Sequence, residues 1–174
     1  MLRADVALGD ATAGAIFGPL GLDDPYRYSL HRSFIPHGLA SQFHELLFIM
    51  LNPSEATHLK DDPTVRRCIG FARDLGYDGV RVCNLFALRS TSPAKLYSDS
   101  NPIGPNNDYY LNHFSRQART IICAWGTHGA LMTRGEVVRL LLAPTPLHVL
   151  GLTKDGYPKH PLYLSKKTQP LAWL

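Results

Sequence analysis

Cysteine is scarce in this chain. Cys68, Cys83 and Cys123 are widely spaced and form no close pair, and two of them lie inside apolar runs. Thiols so placed suit the core of a protein in a reducing cytoplasm, and argue against disulfides, a zinc site or an iron–sulfur cluster. Long apolar runs are missing too. The longest, Leu46 to Leu51, falls far short of the roughly 20 residues that span a bilayer. The N-terminus has no basic start followed by an apolar stretch, so no secretory signal is read there. No glycine-rich phosphate loop, HExxH, GxSxG or Cys/His ligand cluster occurs, and no metal or cofactor is expected. Charge is not strongly one-sided either. The 18 Lys and Arg against 14 Asp and Glu leave +4, which permits a nucleic-acid partner without pointing to one.

What is present fits one domain over residues 1–174. The chain is 45% apolar, enough for a core, and no linker, repeat or low-complexity tract divides it. Residues 1–25, with the break GPLGLDDP, read as irregular or loosely helical, and YRYSLHRSF (26–34) as an edge strand. LLFIML (46–51) is a buried strand by its continuous apolarity. The helix after it is well signalled: Asp62 as N-cap, Pro63 in the first position, apolar Val65, Cys68, Ile69, Ala72 and Leu75, and Gly76 as the stop. VRVCNLF (80–86) is a strand, and 87–105 a long polar loop. A helix capped by Asn106 or Asn107 follows over 106–118. TIICAW (120–125) is a strand, 128–142 a helical stretch that Gly135 interrupts, and LHVLGL (147–152) the last strand. This alternation predicts an α/β fold, a three-layer α/β/α sandwich around a mostly parallel sheet of about four to five strands.

In such sheets chemistry collects beyond the carboxyl ends of the strands. Four segments qualify: NPSEATHLKDD, NLFALRSTSP, WGTHG and TKDGYPKHPLYL. Asn52, where the first core strand stops, offers a carboxamide to orient a water or hold a small ligand, although Asn-Pro is also ordinary turn punctuation. Asp62 already has a structural task as N-cap. Asp61 is freer, but a lone loop carboxylate is usually solvated, so both rank below Asn52. Asn84 is out of character in an apolar strand; its donors and acceptor can read a planar edge such as a nucleobase, or brace a neighbouring loop. His160, pinned between Pro158 and Pro161, can donate to developing negative charge or shuttle a proton. His128 is a second candidate at a strand exit, whereas His58, His113 and His148 read as ordinary. Arg89, Lys95, Lys154 and Lys159 sit on the rim loops, where they meet phosphates or simply solvent.

Taken together, the blocks MLNPS, DDPTVRRCIGFA, GYDGVRVCNLFALRSTSP, PIGPNND, AWGTHG and LGLTKDGYPKHPLYL resemble a bacterial family catalogued as domain of unknown function 1643. The likeness runs from about residue 25 to 168. Their order and spacing also resemble, more distantly, the uracil-DNA glycosylase superfamily. That resemblance implies the fold and a set of roles. LNPS is similar to the superfamily's NPG-like motif, giving Asn52 the water-positioning role with Pro53 and Ser54 beside it. VCNLFAL is similar to the base-reading motif, giving Asn84 the base edge; Phe86, at the strand exit, is placed either to stack on that base or in the core. ICAWGTHG resembles LLWGSHA through Trp125, Gly126 and His128. HPLYL is similar to HPSPLS, giving His160 the leaving base and Leu162 the duplex wedge. The chain departs from the pattern in lacking the QDPY form, in Ser54 where the NPG form has glycine, and in the missing serines of the last motif.

The expectation is therefore a cytoplasmic, metal-independent protein of uracil-DNA glycosylase-like fold that recognises a nucleobase and hydrolyses a base–sugar N-glycosidic bond in DNA. Two alternatives use the same cleft: an enzyme acting on a free or modified nucleoside or nucleotide, and a non-catalytic nucleotide- or nucleic-acid-binding module.

Overall fold

A computed structural model of the chain describes residues 13–35 and 43–174. Part of the segment expected to be irregular, residues 1–12, and residues 36–42 lie outside the described residues. Seven strands form one sheet among those described: β1 (Ala13–Phe17), β2 (Arg27–Ser33), β3 (Glu45–Met50), β4 (Gly79–Asn84), β5 (Thr120–Cys123), β6 (Leu147–Val149) and β7 (Leu171–Ala172). The helices are α1 (Pro63–Asp74), α2 (Ala94–Ser98), α3 (Asn107–Ser115) and α4 (Arg134–Leu142).

The sheet order is β1-β2-β4-β3-β5-β6-β7. The inner run β4-β3-β5-β6 is parallel, and β1, β2 and β7 join antiparallel at the two sides. The parallel strands are thus those read from apolar runs, while the sheet is wider than four to five strands and only half of its pairings are parallel. Both extra strands escape an apolar-run reading. β7 is two exposed residues long. In β1, Gly14 looks like a breaker, but it lets the strand pass close to β2: a Cβ there would fall 2.3 Å from the His31 ring. β2 is consequently covered by β1 and is not an edge.

Side chains alternate between two cores. Leu47, Ile49, Cys83, Ile121 and Val149 face α3 and α4, packing with Leu111, Phe114, Val138 and Leu142. Leu46, Phe48, Val82, Ile122 and Ala124 face α1, packing with Cys68, Phe71 and Ala72. Helices therefore lie on both faces. Because β3 is followed by a helix on one face and the adjacent β5 by a helix on the other, the connections part between these two strands. A crevice opens at their carboxyl ends by topology alone.

Local signals explain the framing helix. The Asp62 carboxylate accepts from the Val65 amide at 2.8 Å, and Pro63 occupies the first turn. At the other end Gly76 takes φ 78°, while the Gly76 and Tyr77 amides reach back to the Arg73 and Ala72 carbonyls. Elsewhere the break in the 128–142 stretch falls at Met132 and Thr133, whose φ values are 55° and 51°, and Gly135 sits inside α4. The 87–105 loop contains the short α2, pinned by buried Leu96. All three cysteines are free and buried, and burial pushes their thiols up, Cys83 to about 12. No helix among the described residues is long and apolar enough to cross a membrane.

Candidate functional site

The crevice is a cleft of about 410 Å³ at the carboxyl ends of β3, β4 and β5. Asn52 and Ser54 enter from the exit of β3, Asn84 from the end of β4, Trp125, Gly126 and His128 from the exit of β5, and His160 from the loop after β6. Residues that sequence places far apart thus share one wall-to-wall space.

Each loop is held by backbone bonds to its neighbour. The Leu85 and Phe86 amides continue onto the Met50 and Leu51 carbonyls, and Ala124 onto Ile49, so the strands remain aligned beyond their regular ends. The Asn52 side chain donates to the Pro53 carbonyl at 3.0 Å and to the Ser90 carbonyl at 2.9 Å. Ser90 answers by donating its amide to Pro53 at 2.8 Å. Both Asn52 amide hydrogens are spent on carbonyls, which leaves Oδ1, an acceptor, as its remaining polar atom.

Asn84 is 1% exposed and its Nδ2 has no hydrogen-bond partner. Bracing of the strand end falls to other side chains: Asn107 donates to the Asn84 and Leu85 carbonyls at 2.9 and 2.8 Å, and Arg134 Nε to Leu85 at 2.9 Å. A buried amide without a partner costs roughly 1–3 kcal/mol, and here it lines a cleft where a ligand can supply the partner.

His160 is held by its own backbone and by α1. Gly126 donates to the Pro158 carbonyl at 2.8 Å, and Arg67 on α1 donates to the Pro161 and Leu164 carbonyls. The Leu162 amide donates to His160 Nδ1 at 3.3 Å. A ring that accepts at Nδ1 carries its proton on Nε2. Burial pushes the imidazole below its ordinary value, and the Asp62 carboxylate, which lines the same cleft, pulls partly back. His160 is therefore a neutral ring with an Nε2–H donor. On the opposite rim, His128 Nδ1 meets the hydroxyl of Tyr97 from α2 at 3.0 Å.

Other expected residues stand elsewhere. Phe86 is fully buried in the α3-side core and does not line the cleft. Pro53 contributes its carbonyl to the loop bonds above. Leu162 lines a neighbouring groove with Arg66, Arg67 and Lys166, and the side chain projecting at the cleft is Tyr163, 85% exposed. Arg89 donates to the Leu22 and Asp24 carbonyls and lies over the Phe17 ring, so its guanidinium holds the 18–25 loop. Lys154 and Lys159 are exposed and outside the cleft. Asp61 pairs with Arg32 at 2.7 Å and is not the free carboxylate of the sequence reading.

Sequence reasoning missed Arg27, Ser90, Thr91, Thr127 and Tyr163, all of which line the cleft. Tyr163 had a signal, since it lies inside the HPLYL block, and so did Ser90, Thr91 and Thr127, inside the NLFALRSTSP and WGTHG segments; Arg27 sits in a stretch read only as a strand. No group of three or more His, Cys, Asp or Glu able to hold a metal ion occurs among the described residues.

The sequence model of a family described as protein of unknown function, DUF1643, matches residues 27–162. The chain belongs to this family. The matched region carries β2 through His160, hence every wall of the cleft except Tyr163. No curated protein and no solved structure matches the chain.

Proposed function

We propose that the cleft is a nucleobase site on a uracil-DNA glycosylase-like fold, and that its reaction is hydrolysis of a base–sugar N-glycosidic bond in DNA. The observation that carries this reading is the partnerless amide of Asn84, buried in the same cleft as Asn52 and His160. An amide donor awaiting a planar acceptor edge is what a base carbonyl satisfies. When the C1′–N bond breaks, its electron pair leaves with the base. The Nε2–H of neutral His160 stabilises that charge by donation. Oδ1 of Asn52 holds a water by one O–H, leaving a lone pair for C1′. The proton shed by the water neutralises the departing base. In a duplex the base must first be flipped out, and Tyr163 at the mouth offers a ring for it to stack upon.

A second reading moves the substrate to a free or modified nucleotide. It is favoured by the cleft lining, in which Arg27 is the one Lys or Arg among the described residues while Arg89, Lys154 and Lys159 stand outside it; a DNA backbone is held mainly by such side chains. The deciding experiment is mass spectrometry of free base released from DNA carrying uracil, mismatched thymine or damaged bases. Release that disappears in Asn52→Ala and His160→Ala establishes the first reading. Absence of release from folded protein refutes it. Turnover of nucleotides then supports the second reading, and binding without product a non-catalytic module.

A further inference from the structure

Arg27 is the least expected side chain in the cleft. It starts β2 at 2% exposure, and its guanidinium is not a member of any ion pair among the described residues. One terminal nitrogen donates to the Ala56 carbonyl, and Nε has no partner. A buried cation without a paired anion is costly, by several kcal/mol per ion after relaxation, and a fold does not ordinarily keep one without a use.

The backbone shows how Arg27 is aimed. Ile16 of β1 pairs with Ser29 and Phe17 pairs with Arg27, so Tyr28 is an extra residue, a β-bulge. Leu30 packs with Ala56 and Val65 on the α1 face, whereas Tyr28 stacks on Tyr110 on the other face. Without the bulge Leu30 and Tyr28 would share a face. With it, Arg27 returns to the side of Leu30 and reaches Ala56 and the cleft. Bulges commonly re-aim one side chain beside a functional site.

We propose that the cleft contains an anion subsite in which the buried guanidinium of Arg27 takes the terminal phosphate of a nucleotide whose base lies against Asn84. The identity of the ligand as a free nucleotide rests on the second reading above, and not on the DNA reading; the anion subsite itself rests on neither. A phosphate supplies acceptor oxygens to the partnerless Nε and an anion to the unpaired charge. Ser54 and Thr64 line the same cleft and add hydroxyl donors. Asp62 is the one carboxylate in the lining among the described residues; its Oδ1 accepts from the Val65 amide, and it forms no ion pair with Arg27. Burial pushes Arg27 down to about 10 in spite of Asp62, so the guanidinium remains charged at neutral pH while its desolvation is only partly offset. The phosphate is a terminal monoester because a group 2% exposed at the base of a cleft is out of reach for a diester running along a rim.

The test is calorimetric titration at fixed ionic strength with inorganic phosphate, the common nucleosides, their 5′- and 3′-monophosphates and an oligodeoxynucleotide lacking terminal phosphate. At least one monophosphate is expected to bind tenfold or more tightly than its nucleoside, with Arg27→Gln erasing the difference and Arg27→Lys restoring part of it. In wild-type protein the Arg27 Nε–H resonance shifts as phosphate is added, a readout that stands even where the variants do not fold. Equal binding of nucleoside and monophosphate, or an unmoved Nε–H, overturns the subsite. So does tighter binding of the phosphate-free oligonucleotide than of every monophosphate. Arg27-dependent binding of inorganic phosphate without any nucleotide preference keeps the subsite and refutes the free-nucleotide reading.

Discussion

The Asn52 side chain donates to the Ser90 carbonyl at 2.9 Å while the Ser90 amide donates to Pro53 at 2.8 Å. This reciprocal pair closes the β3 exit onto the β4 exit and fixes the polarity of the Asn52 amide. The nitrogen faces two carbonyls, so the oxygen is what Asn52 has left for a ligand or a water.

Asn52→Asp is therefore no conservative replacement. It would set a carboxylate against the Pro53 and Ser90 carbonyl oxygens, costing on the order of 1–3 kcal/mol. Asn52→Ala loses the same bonds without adding repulsion. Urea unfolding is expected to rank wild type above Asn52→Ala and Asn52→Asp lowest. An Asp variant as stable as wild type would show that the loop bonds do not set the orientation of this residue.

Asn84 gives the opposite sign. Its Nδ2 is buried without a partner, so Asn84→Leu, close in volume, removes an unsatisfied donor. Ligand-free stability should rise by about 1 kcal/mol, read as a higher urea midpoint with unchanged slope. Nucleobase binding, followed by calorimetry, should be lost. A stability loss instead would mean that the amide supports the fold and not the ligand.

How much of this was legible beforehand depended on the kind of signal. The four parallel strands announce themselves because buried strands need continuous apolar residues, and α1 because Asp62-Pro63 and Gly76 are local stop and start chemistry. β1 and β7 lacked any such mark: one carries glycine and small residues, the other is two residues long. In the site, Asn52 was readable as a polar residue at a strand end, Asn84 as an amide out of character in an apolar strand, and His160 as a ring pinned between prolines beyond the last parallel strand. Arg27 was not, since a β-bulge is a mismatch between two strands and leaves no period in either. Phe86 and Leu162 illustrate the converse: sequence placed them beside the site, and one-residue alternation turned Phe86 into the core while Leu162 faces the next groove.

His160 and Asp62 can be separated by titration. Burial holds the His160 midpoint below the ordinary 6.5, and Asp62 opposes that shift. In the folded state the ring thus binds fewer protons than in the unfolded one as pH falls below 6.5. Stability is undiminished by this group above that value and declines as pH drops through it toward the folded midpoint. Asp62→Asn keeps an equivalent N-cap and removes the charge, so the imidazole resonance of His160 should titrate at lower pH still in that variant. An upward or absent displacement would show that Asp62 does not act on the ring. His160→Gln should flatten the acid limb of the stability profile.

Tyr163 tests the mouth of the cleft independently of its floor. The ring is 85% exposed, and the aromatic ring it meets among the described residues is that of His160, tilted at 5.9 Å between centroids. Tyr163→Ala should leave the folding free energy within about 0.5 kcal/mol, as for surface sites without special contacts. Stacking of a base on an aromatic side chain contributes roughly 1–3 kcal/mol, so binding of single-stranded DNA or nucleotide should weaken by about tenfold to a hundredfold. Tyr163→Phe should retain most of the affinity, because the ring face and not the hydroxyl makes the contact. Fluorescence anisotropy with a labelled oligonucleotide reads all three proteins. Equal affinity in the alanine variant would remove Tyr163 from the site and leave the buried donors as the determinants of binding.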